Sequence, residues 1–348
     1  MSETDDSTRD LLRDTATRLF QDLCEPAALR AAEGGNWPAP LWQAVEDAGL
    51  PKALVPEAAG GSGVSFRDAM VIVHAAGWYA LPLPLPETML AGWLLARAGL
   101  AVPDGPMTVA YGDDVSLTLN ERGCYPRGHA RRVPWARDQN TTIVAMDNAG
   151  RVTIAPRGDC AIEPGENVAR EPRDTVKLGG RSDLSGDARL DRMQLRAVGA
   201  ALRAQQIAGA LERVTEMTTQ YALDRTQFGR PIGKFQAVQQ NLAVLAGQTA
   251  AAGAAAGMAA EAVEETIRLL PIAAAKARCG EAAGIGAAIA HQVHGAIGFT
   301  FEHTLHFLTK RLWSWRDEFG NETEWNQLTG RHMAKAGPHR YWAEITAA

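Results

Sequence analysis

Two arginines, a phenylalanine and several amides crowd one short segment, Arg225 to Gln236, with the sequence RTQFGRPIGKFQ. Gly229, Pro231 and Gly233 forbid a continuous helix there, so the segment is a tight connection between two longer helical runs. On such a turn the planar fork of Arg225 can grip a phosphate, and the Phe228 ring can flank a flat heterocycle. The same residues also suit a salt-bridged turn that does no more than join two helices, and spacing alone leaves both readings open. A second break, Gln292 to Phe299 (QVHGAIGF), carries glycines that let backbone approach a ligand, because no Cβ stands in the way.

Other clusters have plainer chemistry. His291 with His294, and His303 with His306, are spaced i, i+3 near Glu302, a spacing that a metal ion can use. A di-iron bundle would want Glu-x-x-His on two separate helices, a pattern missing here, so no metal is expected. Cys24, Cys124, Cys160 and Cys279 are scattered without a CxxC pair and read as reduced structural thiols. The loop PEAAGGS at 56–62 lacks the Lys-Ser/Thr ending of a phosphate loop. Trp313, Trp315, Phe319 and Trp325 read as core or subunit contact rather than as a ligand box.

Composition bounds the partners. The chain has 348 residues, with 35 Lys plus Arg against 40 Asp plus Glu and a net charge of -5, which leaves no basic excess for nucleic acid. Its 46% hydrophobic and 22% charged residues are ordinary for a globular chain and exclude disorder or a disulfide scaffold. The acidic, polar start MSETDDSTRD is unlike a secretory signal, so a cytoplasmic location is expected. Leu242 to Ala260 is uncharged over the length a bilayer requires. It is mostly Ala and Gly around Gln248, and reads as a closely packed bundle helix rather than a membrane span.

Three stretches must position these residues. Over 1–102 the period is helical, with Leu11, Leu12, Leu19 and Leu23 and then Leu41, Val45 and Leu50 at helical spacings, while Pro82, Pro84 and Pro86 predict an extended break. Over 103–185 the period is two: Val115, Leu117 and Leu119 alternate with polar neighbours, as do Val152 and Ile154, and Asp147 to Gly150 reads as a hairpin turn. A turn-rich linker, Gly179 to Gly186, leads into 186–348, where the helical period returns. There Ile207, Leu211, Val214, Thr218 and Tyr221 share one face, Phe235, Val238, Leu242 and Leu245 a second, and Leu305, Leu308, Leu312 and Trp315 a third. Pro271 opens a further Ala-rich helix that ends near His294 and Gly295. The expected fold is α+β, mainly α: an N-terminal helical domain, a small middle β domain and a C-terminal four-helix bundle.

Taken together, Tyr221 to Gln239 (YALDRTQFGRPIGKFQAVQ) and His291 to His306 (HQVHGAIGFTFEHTLH) resemble the acyl-CoA dehydrogenase family. The order of the three stretches is also that of the family's fold. The resemblance implies FAD as cofactor, with its dinucleotide end lying across a subunit interface. It implies that Arg225 and Gln227 meet the pyrophosphate region, that Phe228 packs nearby, and that Gln236 lines the same interface. The backbone of Gln292, Val293, His294 and Gly295 would contact the cofactor of a neighbouring subunit. The implied reaction is α,β-dehydrogenation of an acyl-CoA thioester, in which a carboxylate removes the Cα proton and hydride leaves Cβ for the flavin. Electrons would pass on to an electron-transfer acceptor protein, and the assembly would be a homo- or hetero-tetramer.

This sequence departs from the family in two places. The commonest base, a Glu about twenty residues beyond the Gly-Phe of the second turn, falls at Phe319, within WRDEFGNETEW; Asp317 and Glu318 are adjacent but out of register. The alternative base position falls at or near Gly199. In the middle domain the strands that cradle the flavin ring are not recognisable; Val109 to Asp114 (VAYGDD) and Val133 to Ala136 (VPWA) stand roughly in their place. The pattern resembles the shorter subunit of two-subunit acyl-CoA dehydrogenases, such as those acting on steroid side-chain CoA esters. The leading expectation is a chain that completes a partner's flavin site, with Glu318 as the candidate base if this chain carries one. The alternative is a non-catalytic interaction subunit.

Overall fold

The computed structural model describes residues 3–264, 266–340 and 342–343. By internal contact the chain divides into two compact units, one of 1–72 with 82–196 and the other of 73–81 with 197–348.

The first unit opens with helices α1 (Glu3–Leu23), α2 (Pro26–Glu33), α3 (Ala39–Asp47) and the start of α4 (Phe66–Trp78), followed by α5 (Leu85–Arg97). In α1 the buried residues are Ala16 and Phe20. Leu11 is exposed while Leu12, Leu19 and Leu23 are half-buried, so one leucine of the expected four falls outside the apolar face. The expected proline break is shorter than its three prolines implied: Pro84 caps α5 and Pro86 lies in its first turn. A first-turn proline costs little because its missing N–H would have had no intrahelical partner.

Eight strands follow, β1 (Met107–Tyr111), β2 (Ser116–Asn120), β3 (Gly123–Pro134), β4 (Thr142–Met146), β5 (Arg151–Ile154), β6 (Ala161–Glu163), β7 (Arg173–Leu178) and β8 (Gly186–Asp187). They form two four-stranded sheets in the orders β1-β4-β5-β8 and β2-β3-β7-β6. Ala110, Leu117, Val133, Ile143, Ala145, Val176 and Leu178 belong to one buried cluster that both sheets share. The β4–β5 hairpin turns at Asp147, whose carboxylate accepts from the N–H of Ala149 (2.9 Å) and Arg151 (3.0 Å), as the Asp-Asn-Ala-Gly run leads one to expect. Leu119 is exposed although Leu117 is buried, because β2 contributes only one side chain to the core.

The second unit is helical. Its frame is the 197–224 part of α6 (Arg192–Asp224), then α7 (Gln236–Glu261), α8 (Leu269–His294), α9 (Leu305–Trp315) and α10 (Glu322–Ala336). A two-stranded hairpin, β9 (Thr226–Gln227) with β10 (Arg230–Pro231), joins α6 to α7. Gln205 donates to the Ala256 carbonyl (2.9 Å) and the Thr215 and Thr249 hydroxyls bond at 2.8 Å, tying α6 to α7. The predicted buried face of α9, Leu305, Leu308, Leu312 and Trp315, is buried as expected. Asn321 and Glu324 form a reciprocal capping box that starts α10 (3.1 Å each way).

Close approach in this unit depends on missing side chains. The 73–78 part of α4 crosses α6 so tightly that a Cβ on Gly77 would strike the Gln206 carbonyl, and one on Gly209 would strike the carbonyl of His74. Gly209→Ala is therefore expected to destabilise the protein by about 1–3 kcal/mol, the usual range for overpacking, seen as a lower urea midpoint with an unchanged slope.

Candidate functional site

The first chemistry-bearing segment begins where α6 ends. The Arg225 N–H bonds to the Tyr221 carbonyl (2.9 Å), and the Arg225 carbonyl accepts from Ile232 (2.8 Å), closing the loop on itself. Gln227 pairs with Arg230 across β9 and β10, leaving Phe228 and Gly229 as a two-residue turn with φ of 51° and 80°. Two positive φ angles are what a tight hairpin of this kind requires; glycine meets them freely, while a phenylalanine is strained there. The strain holds the Phe228 ring out from the bundle, 92% exposed and edge-on to Phe235 at 6.2 Å. Arg230 lies over the Phe235 ring at 4.3 Å. The exposed Arg225 guanidinium has no ion-pair or hydrogen-bond partner among the described residues, and Gln227 donates only to the neighbouring Thr226 carbonyl (2.9 Å). Gln236 is exposed at the first position of α7.

The second segment is the end of α8. Gly295 has φ 62° and ψ -143°, and a Cβ placed there would meet nothing. A 3₁₀ turn, Gly295–Phe299, then folds back, and a Cβ placed on Gly298 would stand 2.9 Å from the Cβ of His294 and 3.4 Å from Nδ1 of His291. Gln292 is exposed, but the side chains of Val293 and His294 are buried, so these two residues can offer a ligand only backbone. A hollow of about 290 Å³ opens beside the turn, lined by Ala288, His291, Gln292, Gly295, Phe299 and Trp313. Phe299 and Phe301 stand 70% and 76% exposed, an apolar rim that a solvated loop does not need.

Aromatic stacking brings the two segments to one end of the unit. The Tyr221 ring stacks on His294 at 4.4 Å, and His303 meets both, His294 at 4.7 Å and Tyr221 at 6.3 Å. His291 stacks on Phe299 at 4.4 Å and on Trp313 at 5.6 Å. Burial, opposed in His294 by its bond to Ala290, holds the imidazoles of His291, His294 and His303 below their ordinary pKa, and the neighbouring histidines add to the shift. The i, i+3 histidines thus serve stacking. No group of three or more metal-ligating side chains occurs among the described residues.

A third region holds the carboxylates. Glu318 is paired with Arg203 of α6, which donates through Nε (2.8 Å) and Nη2 (2.7 Å) to the same carboxylate oxygen. Arg203 is 1% exposed and also reaches the amide oxygen of Gln206. Asp317 faces solvent. Phe319 has φ 54°, and its ring lies on Gly199 so closely that a Cβ there would collide with ring carbons. Phe319 and Gly199, the two positions at which the resemblance would look for a base, therefore touch, and an aromatic ring fills the space. Lys276 of α8 pins the same loop by donating to the carbonyls of Arg316 (2.6 Å) and Gly320 (2.8 Å). Burial pulls its amine down to about 8, against the pull of Glu322.

In the first unit, Trp135 follows the end of β3 in a turn, with φ 47°. Arg173 covers its ring at 4.8 Å and pairs with Glu171 at 2.9 Å. The indole of the VPWA segment is thus already packed within this chain.

The donor set at the two kinks fits one half of FAD. A diphosphate needs cationic and N–H donors: the exposed Arg225 guanidinium is without a partner among the described residues, while the exposed Gln227 amide has one N–H on the Thr226 carbonyl and the Gly295 N–H caps the His291 carbonyl. An adenine ring is suited by flat apolar neighbours, and Phe228 and Phe299 are exposed. Sequence reasoning found the kinks from their glycines and prolines. It did not find the Tyr221–His294–His303 stack or the seating of Phe319 on Gly199. The only trace of the first was the i, i+3 histidine spacing; the second left none.

Comparison with known proteins agrees with this geometry. Residues 6–101 match the acyl-CoA dehydrogenase N-terminal domain and residues 193–316 the acyl-CoA dehydrogenase C-terminal domain. The acyl-CoA dehydrogenase IpdE2 of Mycobacterium tuberculosis is 30% identical over 311 residues, covering 87% of this chain and 90% of that protein. One chain of the ChsE4-ChsE5 complex from Mycobacterium tuberculosis superposes with a TM-score of 0.85 at 23% identity, over 97% of this chain and 99% of that one. Glutaryl-coenzyme A dehydrogenase superposes with a TM-score of 0.83 at 18% identity, over 95% of each chain. With both family domains matched and a relative aligned over most of its length, this chain belongs to the acyl-CoA dehydrogenase family, whose cofactor is FAD.

Proposed function

We propose that this chain is a subunit of an FAD-dependent acyl-CoA dehydrogenase that completes the flavin site of an unlike partner, the partner supplying the base. The observation that carries this reading is the pairing of an open dinucleotide end with a closed base position. The Arg225 guanidinium is exposed and without a partner among the described residues, and Gln227 and Gly295 are exposed as well, whereas Phe319 lies on Gly199 and Glu318 is held by Arg203. A carboxylate accepting two bonds from a buried guanidinium is stabilised as the anion and poorly placed to take a proton from carbon. FAD, when bound, supplies the hydride acceptor that no side chain can provide.

The roles left to this chain are binding and exclusion of water. Arg225 neutralises diphosphate charge, Gln227 and Gln236 offer amides at the same edge, and the backbone from Gln292 to Gly295 approaches the ligand where no Cβ intervenes. A partner is also supported by helix α7. It is long and apolar enough to cross a membrane, yet only 28% of its most apolar stretch is buried. Its exposed Ala243, Gly247, Ala250 and Ala254 recur at helical spacing, and small residues let another helix lie close. The expected covering is a partner subunit, giving a hetero-oligomer that oxidises an acyl-CoA and hands electrons to an acceptor protein.

Stoichiometry tests the reading. The chain alone is expected to hold little flavin, and the co-expressed pair to hold it and reduce an electron acceptor with an acyl-CoA. A homotetramer that carries one flavin per chain and turns over unaided would overturn it.

Two substitutions separate binding from chemistry. Arg225→Ala is expected to weaken FAD retention by the complex roughly 10- to 100-fold, the worth of one charge-assisted hydrogen bond. Glu318→Gln is expected to change turnover less than about 3-fold, whereas removing a true base costs at least about 100-fold.

The pair has a stability signature too. Arg203→Met strands a buried carboxylate and is expected to cost about 3–5 kcal/mol, while Arg203→Met with Glu318→Leu recovers most of the loss in urea unfolding.

A further inference from the structure

The kinks that bind the dinucleotide in the proposed function are separated in sequence, and something must hold them at a fixed distance. Tyr221 sits one turn before Arg225 and its carbonyl takes the Arg225 N–H. His294 is the last residue of α8, with Gly295 directly after it and Gly298 folded back on its Cβ. The stack of Tyr221 on His294, closed edge-on by His303, therefore connects the root of one kink to the root of the other.

Hydrogen bonds constrain the tautomers of these rings. His294 Nδ1 donates to the Ala290 carbonyl (2.8 Å), which leaves Nε2 as an acceptor, buried and without a partner among the described residues. His303 Nδ1 accepts from the Leu305 N–H (3.2 Å), and its carbonyl takes the Nδ1 proton of His306 (2.7 Å). His291 Nε2 bonds to the Thr309 hydroxyl (2.9 Å), and its Nδ1 is buried without a partner, facing Gly298. The groups facing the rings are Tyr221 from α6, Phe299 and His303 from the turn, and His306, Thr309 and Trp313 from α9. No carboxylate pairs with His291, His294 or His303 among the described residues.

We propose that Tyr221, His294 and His303 are positioning residues, a clasp that sets the spacing of the two dinucleotide-binding kinks and that holds only while its imidazoles are uncharged. The proposal rests on the flavin reading for its purpose but not for its geometry. A proton added to His294 or His291 would create a buried N–H with no acceptor and place cations side by side, and the stack would open to reach water. The sign follows from burial: the folded pKa lies below the ordinary 6.5, so the clasp is intact above that value and loses stability as pH falls through it.

Amide hydrogen exchange on the full chain, corrected for the intrinsic pH dependence of exchange, tests this. Protection of 225–236 and 292–300 is expected to fall together, by about tenfold, between about pH 7.5 and about pH 5.5. In His294→Gln the fall is expected to shrink below about threefold. Tyr221→Phe, which keeps the ring, should behave as the wild type, and Tyr221→Ala should loosen both kinks already at neutral pH. Protection that ignores pH in the wild type, or kinks that loosen independently of each other, would overturn the clasp. These two observations and the Tyr221 pair decide the matter even if the histidine variant does not fold.

Parallel FAD titrations of the chain with its partner separate the two readings. Tighter FAD retention at the higher pH, tracking the exchange, supports both. No FAD retention at any pH, with pH-linked exchange intact, overturns the flavin reading and leaves the clasp standing.

Discussion

The seating of Phe319 on Gly199 is the contact on which the functional reading of this chain depends. With no Cβ on α6 at that point, an aromatic ring lies against the helix backbone, at the place where the proposed function finds the base position closed. The ring is kept there by its own backbone, at φ 54°, and by Lys276, whose ammonium spans the carbonyls on either side. A buried amine is a costly anchor, since burial penalises its charged form; the negative charge of Glu322 opposes that penalty, and two carbonyls accept its protons. The Arg203–Glu318 pair braces the same loop from α6. A buried ion pair adds little net stability compared with an apolar replacement, but it tolerates no loss of one member, so it fixes geometry more than it strengthens the fold.

The same device recurs through the helical unit. Gly77 and Gly209 let the end of α4 cross α6 at backbone contact, and Gly286 admits Leu211 between α6 and α8. Close packing at glycines leaves the interior of this unit without spare volume, and interiors packed to that density transmit shape rather than deform. The consequence falls at the unit's end. Chain that cannot enter the interior is displayed as kinks, and the exposed Arg225, Phe228, Phe299 and Phe301 are found on them.

Polarity is divided accordingly. Arg203 and Glu318 are held inside the unit and engaged with each other, while the Arg225 guanidinium is exposed and without a partner among the described residues. Burial of this kind is the physical contrast between a subunit that performs proton transfer and one that completes another chain's binding site. The open, small-residue face of α7 belongs with the second.

Much of the architecture was legible along the chain. The change of period from helix to strand and back located the strand-bearing stretch and helices α6 to α9, because side-chain periodicity is a local consequence of backbone geometry. The kinks at 225–236 and 292–299 were legible for the same reason: glycine and proline act on their own φ angles whatever surrounds them. Leu11 misled, since hydrophobicity marks a helix without saying how far the face is rotated. What only the tertiary structure decided were pairings between distant residues, Arg203 with Glu318, Gly199 with Phe319, and Tyr221 with His294 and His303. No local pattern encodes them, because each depends on which helix faces arrive at the same place when the bundle closes.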